Sequence, residues 1–321
     1  MSMPLRLSLT LFLGLAIAHP PAQAADNTRY VSITGKNTNP CTLALPCRTL
    51  QFAINIAPAG GEVQILDPGF YGNNANIKKS LTIAGNGNTV YLGGVLTINK
   101  ANAVVALRRL VLNGSGAGTV GINIVAPAQV YVEHCLVHGF TQRGISLEIE
   151  GPQAALFVTN SIIRNNGTGF LNNGGVIVIG TDTVRLTVDE SRLESNFNVG
   201  ILAINAEATI TRTVAAHNSP VGIANVDGRM SVVASTASDS GGNGYLVSSG
   251  QMTLEASVAR GNQSAGLSVV AGATARISNS VFTNNTVGIN NAGTVRTLGN
   301  NVVDGNGVNT LGGPVQAVTP F

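Results

Sequence analysis

Four segments of the chain decide its fold: NSPVGI at residues 218–223, SGGNGY at 240–245, NQSAGL at 262–267 and NTVGI at 285–289. In each segment an amide or hydroxyl side chain is followed, three or four residues later, by a glycine and an apolar residue. The glycines of these segments recur every 22 residues. A repeat of this length indicates a solenoid, in which successive coils of the chain stack on one another.

Three sequence columns move together through the repeat. The glycine column is assigned to Gly121, Gly144, Gly169, Gly200, Gly222, Gly244, Gly266 and Gly288. Eight or nine residues before each glycine stands a small residue: Cys135, Ser161, Ser191, Thr213, Ser235, Ser257 and Ser280. Three or four residues before it stands an amide or hydroxyl: Asn166, Asn196, Asn218, Ser240, Asn262 and Asn285. Asparagine tolerates the bent backbone of a turn, so stacked coils would place these amides in a ladder.

Short segments upstream of these columns, such as 208–211 and 275–278, alternate polar and apolar residues and are rich in β-branched side chains, which predicts strands with one buried face. The leucine pattern of a leucine-rich repeat and the six-residue period of a left-handed β-helix are both missing from the sequence. The repeat therefore predicts an all-β fold, a right-handed parallel β-helix.

The composition agrees with this prediction. The chain has 321 residues, of which 44% are hydrophobic and only 10% are charged, so it is too apolar to be disordered. It contains 39 glycines and 34 asparagines, both poor helix formers. The net charge of +3 comes without a basic block, and we expect no nucleic-acid partner.

The first 24 residues predict a secretory signal peptide. One positive charge at Arg6 is followed by an apolar run from 7 to 18, and Ala22-Gln23-Ala24 places small residues at the cleavage positions. The run is too short to span a bilayer. We expect an exported protein, periplasmic or extracellular, without a membrane span.

The remaining chain is predicted to divide into three parts. Residues 25–60 contain Cys41 and Cys47, which an exported protein would join in a disulfide, and an amphipathic helix over 49–57 that would plug the first coil. Residues 61–303 form the β-helix. Residues 304–321 lose the repeat pattern and are expected to form a C-terminal cap.

The segments DPGFY at 67–71 and KSLTIAGNG at 79–87, which follow the helix, resemble the opening of pectin-lyase-like parallel β-helix proteins. That superfamily includes lyases, hydrolases, esterases, epimerases and adhesins, so the resemblance specifies architecture and leaves the activity open. The catalytic motifs of polygalacturonases, pectin methylesterases and alginate epimerases are missing from the sequence. The absence of Trp and an aromatic content of 4% also argue against a tight sugar groove.

The few charged residues gather between 133 and 212. When the coils are aligned on the small-residue column, six of these residues form a candidate surface patch: His138, Arg164, Asp189, Glu190, Glu194 and Arg212. One interpretation is an acid–base site, with Glu194 or Asp189 as base and Arg164 binding an anionic sugar. The other is a set of surface ion pairs, Arg164 over Glu194 and Glu190 over Arg212.

Two further features bear on function. His134, Cys135 and His138 lie close in sequence, but Cys135 occupies the small-residue column, so we expect no metal and no other cofactor. The coil from Gly169 to Gly200 is long, and its extra residues, placed near 171–183, predict either a loop on a binding face or an adjustment of the sheet edge.

These observations lead to one functional hypothesis and two alternatives. The hypothesis is an exported β-helix that presents an extended surface to a polysaccharide or cell-surface partner. The first alternative is a polysaccharide lyase or glycoside hydrolase that uses the charged patch. The second is a structural spacer without a ligand.

Overall fold

The computed structural model describes residues 27–149, 153–169, 173–181 and 184–318. The predicted leader, residues 1–24, lies outside the described residues. Within the described ranges the chain winds through three parallel sheets of 13, 11 and 11 strands, and each coil contributes one strand to each sheet. Every strand pairs in parallel with the equivalent strand one coil away, and the predicted parallel β-helix is confirmed.

In chain order, a coil passes through the first, second and third sheet. The first sheet contains β1 (Thr28–Val31), β2 (Glu62–Ile65), β5 (Leu81–Ala84), β8 (Val104–Arg108), β11 (Gln129–Glu133), β14 (Ala155–Thr159), β17 (Arg185–Asp189), β20 (Glu207–Thr211), β23 (Gly228–Val233), β26 (Gly250–Glu255), β29 (Thr274–Ser278), β32 (Thr294–Thr297) and β35 (Val315–Ala317). The second sheet has the shortest strands: β3 (Gly69–Phe70), β6 (Thr89–Tyr91), β9 (Val111–Asn113), β12 (Leu136–His138), β15 (Ile162–Arg164), β18 (Arg192–Glu194), β21 (Val214–Ala216), β24 (Thr236–Ser238), β27 (Val258–Arg260), β30 (Val281–Thr283) and β33 (Val302–Val303). The third sheet contains β4 (Ala75–Ile77), β7 (Leu96–Ile98), β10 (Val120–Ile124), β13 (Arg143–Glu148), β16 (Gly174–Ile179), β19 (Phe197–Ile204), β22 (Ser219–Val226), β25 (Asn243–Val247), β28 (Ala265–Val269), β31 (Val287–Asn291) and β34 (Val308–Gly312).

The strands alternate between a buried and a solvent face, as a half-buried parallel coil requires. In β20, Ala208 and Ile210 point into the core while Glu207 and Thr209 face outward. The middle residue of most second-sheet strands is fully buried, as Ile163 and Leu193 are. Val, Ile and Leu from all three sheets thus form one continuous core along the solenoid.

The N-terminal end of the core is covered by a short helix. Helix α1 (Leu50–Ile56) begins at Thr49, whose side chain accepts from the Phe52 amide, and buries Leu50, Ala53 and Ile54 against the first coil. A disulfide joins Cys41 to Cys47, with a Cα–Cα distance of 4.7 Å. Strand β1, which the sequence did not predict, pairs with β2 and extends the first sheet towards this end. No helix within the described ranges is long and apolar enough to cross a membrane.

The turn from the second to the third sheet is built around buried asparagines. Asn196 Nδ2 donates to Asn218 Oδ1 at 3.1 Å and to the Ile163 carbonyl at 2.9 Å. Asn196 Oδ1 accepts from Asn166 Nδ2 at 3.1 Å and from the Asn166 backbone N–H at 3.2 Å. The predicted amide ladder is therefore confirmed, and both the side-chain oxygen and the NH₂ group of Asn196 are hydrogen-bonded. Ser240 occupies the same position with a shorter side chain, and its buried hydroxyl has no hydrogen-bond partner.

The glycine column follows from this ladder. A Cβ placed on Gly244 would lie 2.7 Å from Asn262 Nδ2, and one on Gly200 would lie 2.8 Å from Asn218 Nδ2. These distances are far too short for a real contact. The ladder asparagine of one coil therefore requires glycine at the facing position of the coil before it.

The assignment of Gly169 to this column is wrong. Val176 pairs with Ile145 and with Ile201, which places Gly175 between Gly144 and Gly200. A Cβ on Gly175 would meet Asn196 Nδ2 at 3.0 Å, whereas one on Gly169 would meet nothing.

The small-residue column is a second ladder at the turn between the first and second sheets. The backbone N–H of Ser161 donates to Ser191 Oγ at 3.1 Å, and Cys135 N–H donates to Ser161 Oγ at 3.0 Å. Cys135 is a free, buried cysteine in this column, as predicted. Burial raises its pKa to about 11, so the thiol stays protonated at neutral pH.

Residues after Asp304 continue the coils. Although the sequence pattern fades, β34 pairs with β31 and β35 pairs with β32. The described part of the predicted cap, residues 304–318, is therefore a further coil whose residues are mostly exposed. Residues 319–321 lie outside the described residues.

The ladder makes a prediction for stability. Replacing Asn218 by Leu removes three hydrogen bonds from a fully buried site. Asn218 Oδ1 accepts two of them, from the backbone N–H and from Nδ2 of Asn196, and Asn218 Nδ2 donates the third to the Leu193 carbonyl. Since each unpaired buried polar group costs about 1–3 kcal/mol, we expect a loss of about 3 kcal/mol or more in the free energy of unfolding, measured by urea denaturation.

The same substitution at Asn290 is the control, because Asn290 lies on the outer face of β31 and is only partly buried. Asn290→Leu should change the free energy of unfolding little. If Asn218→Leu were equally harmless, the buried ladder would be contradicted.

Candidate functional site

The structure divides the six residues of the predicted patch into two groups, Asp189, Glu190 and Arg212 at the turn from the first to the second sheet, and His138, Arg164 and Glu194 at the opposite ends of second-sheet strands. Asp189 ends β17 of the first sheet. Glu190 and Arg212 occupy equivalent turn positions on adjacent coils, with φ values of 48° and 45°. His138, Arg164 and Glu194 are the last residues of β12, β15 and β18, in register on three successive coils.

Arg212 joins the two carboxylates of the preceding coil. Its Nη2 lies 2.5 Å from Asp189 Oδ2, and its Nε lies 3.0 Å from Glu190 Oε1. The hydroxyl of Thr211 donates to the other oxygen of Asp189 at 2.5 Å. The predicted ion pair between Glu190 and Arg212 is present, and Asp189 belongs to the same network.

Glu194 is also engaged, although its partner differs from the prediction. It lies in register with Arg164, but its carboxylate accepts from Arg192 Nε at 2.8 Å on the same strand. Two residues apart on a strand, Arg192 and Glu194 point to the same outer face and can pair without crossing a coil. Arg192 is not among the predicted patch residues, because a pair within one strand does not show in the alignment of successive coils.

His138 ends β12 and is partly buried. Partial burial and, secondarily, the positive charge of Arg164 one coil away both lower the pKa of its imidazole below the usual value of 6.5. The ring is therefore neutral at neutral pH and offers one donor and one acceptor nitrogen.

The surface beside the patch is shallow. A depression of about 350 Å³ adjoins it on the N-terminal side and is lined by turn residues such as Arg109, His134 and Asn160 and by the apolar side chains of Leu136 and Ile162. Within the described ranges, no three His, Cys, Asp or Glu side chains are grouped as a metal site would require. His134 is exposed on the turn, and the Cys135 thiol donates inward to backbone carbonyls.

The long coil distributes its extra residues over two turns. The segment 176–179, expected to be part of an insertion, belongs to β16 and pairs in register on both sides. The additional residues precede and follow this strand, at the turns before Gly174 and after Ile179. The insertion is therefore not one loop over 171–183, and parts of both turns lie outside the described residues.

The column of His138 and Arg164 extends further towards the N-terminus than the predicted patch. Asn113 pairs with His138, Tyr91 with Asn113, and Phe70 with Tyr91. The sequence signal for these residues is a spacing of 21 to 25 residues, but the coils of Phe70 and Tyr91 lack the column glycine that marks the later coils.

Comparisons with known proteins agree with this architecture. Residues 158–308 match the family model described as the right handed beta helix region. The fold is a right-handed parallel β-helix. No curated protein sequence matches the chain.

Among solved structures, this β-helix is similar to the A-module of the mannuronan C-5 epimerase AlgE4 of Azotobacter vinelandii, with a TM-score of 0.50 and 13% identity over 82% of this chain and 91% of that one. It is also similar to the A-module of AlgE6 from the same organism, with a TM-score of 0.48 and 13% identity over 84% and 93% of the two chains. The pectate lyase Pel9A gives a TM-score of 0.43 and 14% identity over 91% and 76%. At these identities the likeness concerns the fold alone.

The position of His138 beside Arg164 makes a prediction that NMR can test. We expect the His138 imidazole to titrate below the usual value of 6.5, and Arg164→Ala to raise the midpoint only part of the way, because burial is the larger cause. Arg260→Ala, three coils beyond Glu194 in the same column, should leave the midpoint unchanged. An unperturbed titration in the wild type would contradict the packing of His138.

Proposed function

We propose that this β-helix is an exported protein that binds a polysaccharide or a glycan-bearing cell surface through the surface that carries the patch. The Cys41–Cys47 disulfide and the leader-like N-terminus support export, since disulfides persist in oxidising compartments. The repeated, parallel coils supply an extended surface rather than an enclosed pocket.

The observation that carries this proposal is the state of the acids in the patch. Asp189 and Glu190 are paired with Arg212, and Glu194 is paired with Arg192. Each of these carboxylates contacts a guanidinium group of its own surface, as structural ion pairs on a protein surface do. The arrangement therefore favours binding over acid–base catalysis.

Arg164 is the patch residue best suited to contact a ligand. Its side chain is exposed, and no ion pair holds it within the described residues, although Glu194 lies beside it in the column. A guanidinium in this position can donate two parallel hydrogen bonds to a carboxylate, the group that distinguishes acidic polysaccharides from neutral ones.

A second candidate function is a polysaccharide lyase, which the environment of His138 favours. The lowered pKa keeps this imidazole neutral at neutral pH, the form that accepts a proton, and Arg164 on the next coil could hold a carboxylate. A lyase would release unsaturated sugars from an acidic polymer, whereas a binding protein would leave the polymer intact.

The two candidates are tested with one set of proteins and polymers. Purified protein is mixed with polymannuronate, polygalacturonate and neutral β-1,4-mannan. Binding is measured by affinity electrophoresis, and cleavage by ultraviolet absorbance of unsaturated ends and by reducing-end assay. We expect binding to at least one acidic polymer, weakening as salt is raised because the contact is ionic, and no cleavage.

Arg164→Ala should reduce this binding roughly tenfold, the expected effect of losing one charge-assisted contact. Arg260→Ala is the matched control, since it removes an exposed arginine of the same column, and it should bind as the wild type does. Cleavage that is lost on His138→Ala would establish the lyase instead. Failure of the wild type to bind any glycan would favour the structural spacer.

A further inference from the structure

Two exposed arginines lie side by side on the outer face of the first sheet, near the C-terminal end of the described solenoid. Arg276 of β29 is the direct strand partner of Arg296 of β32, so their backbones lie about 4.8 Å apart. The residues that precede them, Ala275 and Val295, are buried in the core, so both arginine side chains point outward. We refer to Arg276 and Arg296 as the arginine pair.

The two positive charges of the arginine pair repel each other. Like charges directly opposite on neighbouring strands destabilise a sheet. Elsewhere on the described surface, five arginines contact a carboxylate instead: Arg108, Arg143, Arg185, Arg192 and Arg212. A place where a chain departs from a rule that it follows elsewhere is a candidate functional site.

The arginine pair has no acidic partner in the described part of the chain. Neither Arg276 nor Arg296 takes part in an ion pair there. A carboxylate does lie on the preceding coil, at Glu255, but it is in register with Ser278, two residues along the strand from Arg276. Both guanidinium groups are therefore available to an anion from outside the fold.

Neutral hydrogen-bonding groups surround the arginine pair. Gln251 of β26 accepts a hydrogen bond of 3.0 Å from Arg276 Nη1, which holds this guanidinium on the face of the sheet. Thr274 and Thr294 are in register with each other, two residues before each arginine, and so lie on the same outer face. On the next coil, Gln316 is exposed beside the pair.

This combination of groups fits a phosphate group. One guanidinium fork donates two parallel hydrogen bonds to two oxygens of an anion. A carboxylate has only two oxygens and one charge, whereas a phosphate monoester offers three oxygens and about two negative charges at neutral pH. Two forks that lie one strand spacing apart can therefore bind the same phosphate group, and its charge would offset their repulsion.

We propose that the arginine pair is a binding site for a phosphate group, held by the guanidinium groups of Arg276 and Arg296 and by the hydroxyl groups of Thr274 and Thr294. The site lies on the first sheet, apart from the second-sheet column of Arg164, and it does not depend on the proposed function. The phosphate group belongs either to a soluble monoester or to a phospholipid headgroup, since the chemistry at the pair is the same for both.

Binding is tested with glycerol phosphate as the soluble probe and acetate as the comparison anion. Dissociation constants are measured by isothermal titration calorimetry at constant ionic strength, because salt screens exposed charges. The wild type should bind glycerol phosphate more tightly than acetate. Arg276→Gln and Arg296→Gln should each weaken glycerol phosphate binding roughly tenfold, the expected effect of losing one charge-assisted contact.

Arg260→Gln is the matched control. Arg260 is an exposed arginine on the same coil as Gln251, but it ends β27 on the second sheet, away from the arginine pair. Arg260→Gln should bind glycerol phosphate as the wild type does.

Urea denaturation gives a second readout, which does not require a tight ligand. In chloride buffer the arginine pair is repulsive, so Arg296→Gln should raise the urea midpoint above that of the wild type. Phosphate stabilises folded proteins in general, because it is excluded from their surface, so the comparison is made between proteins. Replacing chloride by phosphate should raise the midpoint of the wild type and of Arg260→Gln by more than that of Arg296→Gln.

Vesicle sedimentation distinguishes the two sources of the phosphate group. The proteins are mixed with vesicles of phosphatidylcholine, with or without phosphatidic acid, whose headgroup is a phosphate monoester. Retention that requires phosphatidic acid and is lost in Arg276→Gln and Arg296→Gln would assign the site to a lipid headgroup. Binding of glycerol phosphate without retention on vesicles would assign it to a soluble monoester.

Three results would overturn the proposal. The first is a wild type that binds neither glycerol phosphate nor phosphatidic acid vesicles. The second is equal affinity for glycerol phosphate in the wild type, Arg276→Gln and Arg296→Gln. The third is a loss of affinity in Arg260→Gln as large as that in the pair variants. None of these results bears on glycan binding at Arg164, so the two proposals stand or fall separately.

Discussion

A buried amide at the turn from the second to the third sheet is the constraint on which the rest of this solenoid depends. Asn196 donates to the coil on either side of it, to Ile163 and to Asn218, so its polar groups are satisfied only when neighbouring coils are in register. The glycine beside it is fixed by the same requirement, since a Cβ at Gly244 would collide with Asn262. In the coils from Asn166 onward, one polar side chain and one glycine per coil thus hold the register of neighbouring coils.

This register determines the outer surface as strictly as it determines the core. Equivalent residues of successive coils lie one strand spacing apart, so outward side chains form columns whose chemistry can be followed along the axis. Where opposite charges occupy neighbouring positions, as at Asp189, Glu190 and Arg212, they pair with one another. Arg164 is exposed and takes no part in the ion pairs of the described residues, whereas the acids are paired, and this contrast is the basis for assigning binding to Arg164 and structural pairing to the acids.

Much of this arrangement could be predicted from the sequence because the coils from Gly200 onward have equal length. Equal length makes the small-residue, amide and glycine columns visible, and it correctly placed Asn218 in a buried ladder, Cys135 in the small-residue column and Glu190 over Arg212.

The repeat predicts positions less well where coil length varies. Between residues 167 and 175 four glycines compete for one column, and only the contact with the Asn196 amide selects Gly175 over Gly169. The sequence also could not show that Glu194 pairs along its own strand with Arg192. Side-chain torsions decide between this partner and Arg164 on the preceding coil. Phe70 and Tyr91 escaped notice because their coils carry no ladder asparagine to mark the register.

The central claim, that buried side-chain amides hold the coils in register, is tested most directly by hydrogen exchange at the asparagine side chains. NMR of protein labelled at asparagine Nδ2 would follow the exchange of these protons with deuterated water. If the ladder is correct, the Nδ2 protons of Asn196 and Asn262 exchange as slowly as the backbone amides of the central strands, because both are buried and hydrogen-bonded. The Nδ2 protons of partly exposed Asn290 exchange within the dead time. Equally fast exchange at Asn196, Asn262 and Asn290 would show that the amides face water and would contradict the account.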